Sequence, residues 1–156
     1  MSSGYVRVGR IGRAPLRIHW TTPIGLFLFS GLSLNPLVWA ALLAIMIVHE
    51  VGHALLARRY ALRLESIDIT AVGGVCRLEG DPTVREAAIV AWGGVLAQAA
   101  LLVVTLLVRG VLHVIALGVL DGVFDMLVTS NFVLIVINLV PIHPLDGAVA
   151  WRLFRR

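Results

Sequence analysis

The chain has 156 residues, 59% of them hydrophobic and only 14% charged, with a mean hydropathy of +0.94. A soluble domain is nearer half apolar and a quarter charged, and a chain this small has too little interior to hide the excess, so a soluble globular domain is excluded, as is disorder, which needs the opposite bias. All 13 basic residues are Arg, against 9 acids for a net charge of +4; they flank apolar runs instead of forming a polar stripe, which speaks for membrane topology and against a nucleic-acid partner.

The expected fold is an all-α polytopic membrane protein with about four transmembrane helices in a single domain over residues 1–156. Arg7, Arg10, Arg13 and Arg17 make residues 1–17 a basic N-terminal tail, and the apolar stretch behind them lacks a small-residue cleavage site, so it reads as a retained anchor. From Trp20 to Val48 no residue is charged, and Asn35-Pro36 marks a turn within the run, because the residue before a proline is driven out of helix. This divides the run into a first span at about Ile18–Leu34 and a second at Leu37–Tyr60.

Residues 61–82 are too polar to span a membrane and alternate like short strands around a Gly73-Gly74 bend. Asp81-Pro82-Thr83 supplies a helix start, with Asp or Thr to cap it, and Ala87–Val108 is uncharged and forms the third span. Gly110–Leu120 reads as an interfacial helix or as the lead-in to the last span. Asp121–Asp125 is a polar break, Met126–Val140 the fourth span, and Ala148–Arg156 a surface helix. With a cytosolic N-terminus, twelve of the 13 Arg fall on the cytosolic side, and only Arg109 lies outside, with Asp121 and Asp125. The positive-inside rule favours this orientation, with both termini cytosolic, over its inverse. Cys76 is the sole cysteine, so no intrachain disulfide can form.

Ionisable residues inside spans are costly and mark function by default. The second span carries His49-Glu50-Val51-Gly52-His53. Residues i and i+4 share a helix face, so both imidazoles can reach one metal ion. Zinc lowers the pKa of water toward neutrality, and the adjacent Glu50 can take the proton of that water as it attacks a carbonyl. The other reading is a polar cluster tying helices together, which explains two His and a Glu in a span less well. His49 stands 12 residues beyond Leu37, or ~18 Å, and Arg58 lies ~13 Å further on, which puts the site toward the cytosolic face.

Two His leave the metal short of a third protein ligand. His19 and His113 sit at span ends and read as interfacial, while Asp121 and Asp125 fall on the far side. Asn138-Leu139-Val140-Pro141-Ile142-His143-Pro144-Leu145-Asp146-Gly147 breaks the fourth span at the right depth. Local sequence allows Asp146 either as that ligand or as a plain N-cap of the last helix; the need for a third ligand favours the former, with His143 as the second candidate. Asn138 faces either a substrate backbone or developing oxyanion, or a neighbouring helix through an interhelical hydrogen bond.

These residues resemble the site-2 protease family, zinc metalloproteases that cleave within membranes (peptidase family M50). His49-Glu50-Val51-Gly52-His53 matches the family's H-E-x-x-H, and Asn138-Leu139-Val140-Pro141 with Leu145-Asp146-Gly147 resembles its second motif. Pro15–Trp20 is similar to the family's entry to its first span, and Gly73-Gly74 with the following residues to its re-entrant β-loop between the second and third spans. The resemblance covers residues 10 to 154 or so. It implies one Zn2+ per chain on His49, His53 and Asp146, Glu50 as catalytic base, Asn138 as a contact for the scissile segment, and transmembrane proteins in the bilayer as substrates. Gly93-Gly94 and Gln98 depart from the Gly-Pro and Asn that many members carry in the third span, and no role passes to them. The intervals leave no room for a PDZ domain and no CBS domain follows, so the expectation is a minimal catalytic core. Two other classes use the same residues. A degenerate homologue that captures transmembrane segments would lack stoichiometric zinc, and a metal transporter would move zinc without peptidase activity.

Overall fold

The computed structural model describes residues 4–114 and 121–154. Strands β1 (Tyr5–Ile11) and β2 (Ala14–His19) lead into helix α1 (Thr22–Phe29) and the long helix α2 (Pro36–Arg59). Strands β3 (Leu64–Thr70) and β4 (Gly73–Leu78) follow, then helices α3 (Val84–Val114) and α4 (Asp121–Leu139), a short α5 (Gly147–Ala150) and a 3-10 turn at Trp151–Phe154.

Three helices are long and apolar enough to cross a membrane among the described residues: Pro36–Arg59, Val84–Leu112 and Asp121–Leu139. The expected first span at Ile18–Leu34 is not one of them. Ile18 and His19 end β2, where Ile18 pairs with Ile69, and α1 has 8 residues, or ~12 Å, against the ~30 Å of a bilayer core. The hydropathy of this run is real, but Gly31 and Leu32 at φ 68° and 65° stop the helix after Phe29. The expected basic tail is likewise a hairpin: β1 and β2 pair antiparallel around Gly12 at φ 63°.

The four strands form one sheet in the order β1-β2-β3-β4. β2 runs parallel to β3, and α1 and α2 make the crossover between them; β3 and β4 then pair antiparallel. The sheet therefore holds residues 5–19 and 64–78 on one side of the bundle, whatever path α1 takes. Its centre is polar but paired. Asp68, with 1% of its side chain exposed, receives Arg17 at 2.6 and 2.8 Å and Arg77 at 2.9 Å. Burial pushes the Asp68 carboxyl up, and the two guanidinium partners outweigh it and hold it below its usual value.

Local chemistry sets the helix ends. Asn35 accepts from the Leu37 amide to cap α2, with Pro36 in its first turn. Arg58 and Arg59 lie at its C-terminal end, where positive charge opposes the helix dipole. Thr83 and Glu86 form a reciprocal capping box on α3, of the two capping residues expected there the Thr. α3 runs unbroken past Gly110 to Val114, and Asp121 to Asp125 open α4 instead of breaking it. The rest of the expected interfacial piece, residues 115–120, lies outside the described residues, as do Arg155 and Arg156 of the expected surface helix.

α2 and α3 pack backbone to backbone at Gly52 and Gly93, where an added Cβ on either would strike the other helix. Ile45, Ala54, Ala57 and Ala88 fill the interior with Ile67 and Ile69 of β3. The outer faces of α3 and α4 present Val103, Leu107, Phe132 and Val136, an apolar exterior suited to lipid.

Candidate active site

α2 sends three polar side chains into the interior. His49, Glu50 and His53 are 8%, 2% and 6% exposed, and each offers a ligand atom within 4.8 Å of the others. One helical turn separates the imidazoles, which meet edge-on with Nε2 to Nε2 at 2.9 Å.

The opposite wall is the break after α4. Asp146 begins α5 but makes no side-chain cap bond. Its carboxylate turns to the imidazoles, with Oδ2 2.8 Å from His49 Nε2 and 3.2 Å from His53 Nε2. Gly147 allows this tight entry, since a Cβ there would strike the Leu139 and Val140 carbonyls. The segment is clamped from outside: Trp151 Nε1 donates to the Leu139 carbonyl at 2.7 Å, and Trp92 Nε1 of α3 donates to the Ala150 carbonyl at 3.1 Å.

The hydrogen bonds behind the rings fix what faces the centre. His53 Nδ1 lies 2.8 Å from the Val90 carbonyl, an acceptor only, so Nδ1 carries the proton and Nε2 presents a lone pair. His49 Nδ1 meets Gln98 Oε1 at 3.0 Å in the same sense. Two imidazole lone pairs and a carboxylate oxygen that receives no hydrogen bond thus converge on one point. Three acceptors without a shared proton repel unless a cation lies between them. Their 2.8–3.2 Å spacing is close to the about 3.3 Å edge of a tetrahedral ion with N and O ligands at about 2.0–2.1 Å. The donor set therefore fits Zn2+.

Glu50 is buried beside this point. Its Oε2 has no hydrogen-bond partner among the described residues, and its carboxylate lies against Gly74 of β4, so closely that a Cβ on Gly74 would strike it. A cavity of about 470 Å³ opens over the group, lined by Phe29, Met46, Cys76, Leu134 and Asn138. Asn138 is half-buried on the cavity wall near the end of α4. Burial pushes the Cys76 thiol up to about 12, so it remains protonated.

The other candidates lie elsewhere. His143 is exposed at the cavity rim and stands apart from the cluster. His19 bonds Thr21 Oγ1 at 2.7 Å and packs on Tyr5. Asp125 pairs with Arg109 at 2.7 Å. The His113 side chain lies outside the described residues. Gln98 is the residue to which the sequence assigned no role; its local signal was a polar side chain one turn after Gly94 in an uncharged run.

No protein-family model matches the chain. It is similar to zinc metalloprotease MJ0392 of Methanocaldococcus jannaschii, 28% identical over 151 residues that cover 91% of this chain and 43% of the relative. It is also similar to Rip3 of Mycobacterium tuberculosis, named for a candidate zinc metalloprotease activity, 30% identical over 177 residues covering 94% and 44%. The chain thus spans less than half the length of these curated relatives. Among solved structures, the site-2 protease from Methanocaldococcus jannaschii shares the fold with a TM-score of 0.72 at 22% identity, over 96% of this chain and 71% of that one.

Proposed function

We propose that the chain is a member of the site-2 protease family of zinc metalloproteases, an intramembrane endopeptidase that hydrolyses peptide bonds in transmembrane or membrane-proximal segments of other proteins. The observation that carries this reading is the convergence of His49 Nε2, His53 Nε2 and Asp146 Oδ2 beside a buried Glu50 carboxylate whose Oε2 has no hydrogen-bond partner among the described residues. In this reading His49, His53 and Asp146 would hold a zinc ion, which when bound would supply Lewis-acid polarisation of the scissile carbonyl and lower the pKa of water toward neutrality.

The chain's own residues do the rest. Glu50 takes the proton of the attacking water and returns it to the departing amine nitrogen. Asn138 donates its amide hydrogen bond to the substrate backbone or to the developing oxyanion. An intact helix shields its carbonyls, so the substrate is unwound when cut. β4 forms the sheet edge next to Glu50, and its free side can pair with such an extended segment. β3 and β4 then form a re-entrant element that dips toward the site from the membrane surface.

Residues 1–156 act as one catalytic core in a multi-pass cell-membrane protein, with residues 1 and 156 and the water access to the site on the cytosolic side. Twelve of 13 Arg, all but Arg109, support this orientation. The test is cleavage of a membrane substrate by the detergent-purified chain. Activity is expected to vanish with a strong chelator and to return with added Zn2+. Cleavage that persists in a zinc-free preparation would overturn the proposal.

A further inference from the structure

Gln98 lies in the middle of α3 with 1% of its surface exposed, where a polar side chain is costly to bury without a purpose. Its Oε1 is 3.0 Å from His49 Nδ1. α4 reaches the same turn, where Asn131, also 1% exposed, donates Nδ2 to the Gln98 carbonyl at 2.9 Å.

We propose that Gln98 is a positioning residue for the metal centre: it accepts the Nδ1 hydrogen bond of His49 and so holds that ring in the tautomer whose Nε2 lone pair faces His53 and Asp146. This rests on the metalloprotease reading and extends it to a residue outside the ligand set.

A neutral imidazole carries one proton on one of two nitrogens. Without an acceptor at Nδ1, the proton of His49 settles on Nε2, where Asp146 Oδ2 at 2.8 Å would accept it. The site would then be closed by a hydrogen bond instead of open to a cation. His53 faces the same choice, but its Nδ1 partner is the Val90 backbone carbonyl, which no side-chain substitution removes. His49 depends on a side chain alone.

The approach of α3 makes the reach possible. Gly94 stands one turn before Gln98, and a Cβ there would strike His49 and His53. The bare backbone lets the Gln98 amide come up behind the ring. The hydrogen bond from Asn131 then fixes that turn of α3 to α4, the helix that leads to Asp146. The two metal-binding walls are thereby joined through Gln98. Metal-ligating His residues commonly need such an outer partner, and its loss costs about 10–100-fold in metal affinity.

The test measures zinc affinity of the full chain in detergent, by competition with a chromophoric chelator, for wild type, Gln98→Met and Gln98→Glu. Met keeps the length of Gln with only a weakly accepting thioether and is expected to weaken binding about 10–100-fold. Glu offers a stronger acceptor at the same place and is expected to stay within about threefold of wild type. In the zinc-free protein, the imidazole nitrogen NMR signals of His49 should report Nδ1–H in wild type and Nε2–H in Gln98→Met. Equal losses in both variants would assign Gln98 to packing and overturn the proposal. If Gln98→Met does not fold, Gln98→Asn, whose amide is one methylene too short, is expected to show the same loss. A folded wild type that binds no zinc overturns the proposed function and this inference together. Zinc binding in wild type that Gln98→Met leaves unchanged overturns this inference alone.

Discussion

Gly94 and Gly74 press on the candidate centre from opposite sides. A methyl group on Gly94 would strike the His49 ring and come within 2.6 Å of His53 Nε2, whereas one on Gly74 would strike the Glu50 carboxylate. The two substitutions should therefore separate metal binding from proton transfer. Gly94→Ala is expected to lower zinc affinity by more than about tenfold, because both imidazoles must turn to make room. Gly74→Ala should keep zinc affinity within about threefold and reduce kcat by about 100-fold, the scale of a displaced general base. Chelator competition and steady-state kinetics on the same preparations check both outcomes. Equal effects of the two on zinc would contradict the arrangement.

At the scale of elements, the sheet is held by charge as well as by its ladder. Asp68 joins β2, β3 and β4 through Arg17 and Arg77. Its folded pKa lies below its usual value; the unfolded carboxyl titrates near about 3.9. The pairing therefore stabilises the fold fully above the unfolded value and loses its effect as pH falls through the folded one. Asp68→Asn is expected to cost about 2 kcal/mol at pH 7, as for hydrogen bonds to a charged group. The gap from wild type should narrow as pH falls below about 4, which thermal unfolding in detergent across pH would reveal.

The same elements show what the sequence made legible. His49, Glu50 and His53 could be read from spacing, because a helix turn places i and i+4 together whatever surrounds it. Asp146 needed one more step, from the two prolines that break the span. The N-terminal hairpin was missed because its Arg-rich composition outweighed the alternation of Tyr5 to Ile11, and its pairing with β3 comes from residues about 50 positions away. α1 was overextended because hydropathy counts apolar residues without seeing where a strand ends or Gly31 stops a helix. Gln98 carried no local signal of its partner, since its contact to His49 exists only once Gly52 and Gly93 bring α2 and α3 together.

For the whole molecule, the pairing of β1 and β2 with β3 and β4 puts the N-terminal strands beside the α2–α3 connection. Single cysteines placed at Gly12, Gly80 and Asp125, in a Cys76→Ser background, test the proposed orientation with a membrane-impermeant thiol reagent. Gly12→Cys and Gly80→Cys should be modified only from the cytosolic face, and Asp125→Cys only from the other. Modification of all three from one face would contradict it. The exposed apolar sides of α3 and α4 suit lipid, and the polar side chains of His49, Glu50, His53, Gln98 and Asn131 are buried within.

The central claim is that this buried group is a hydrolytic zinc centre with Glu50 as its base. Its most direct test compares wild type and Glu50→Gln on one membrane substrate, with the zinc content of each preparation measured beforehand. The account predicts about one zinc per chain in both proteins and a fall in cleavage of at least about 100-fold in Glu50→Gln, the scale expected for loss of a general base. Equal cleavage by the two zinc-loaded proteins would contradict it.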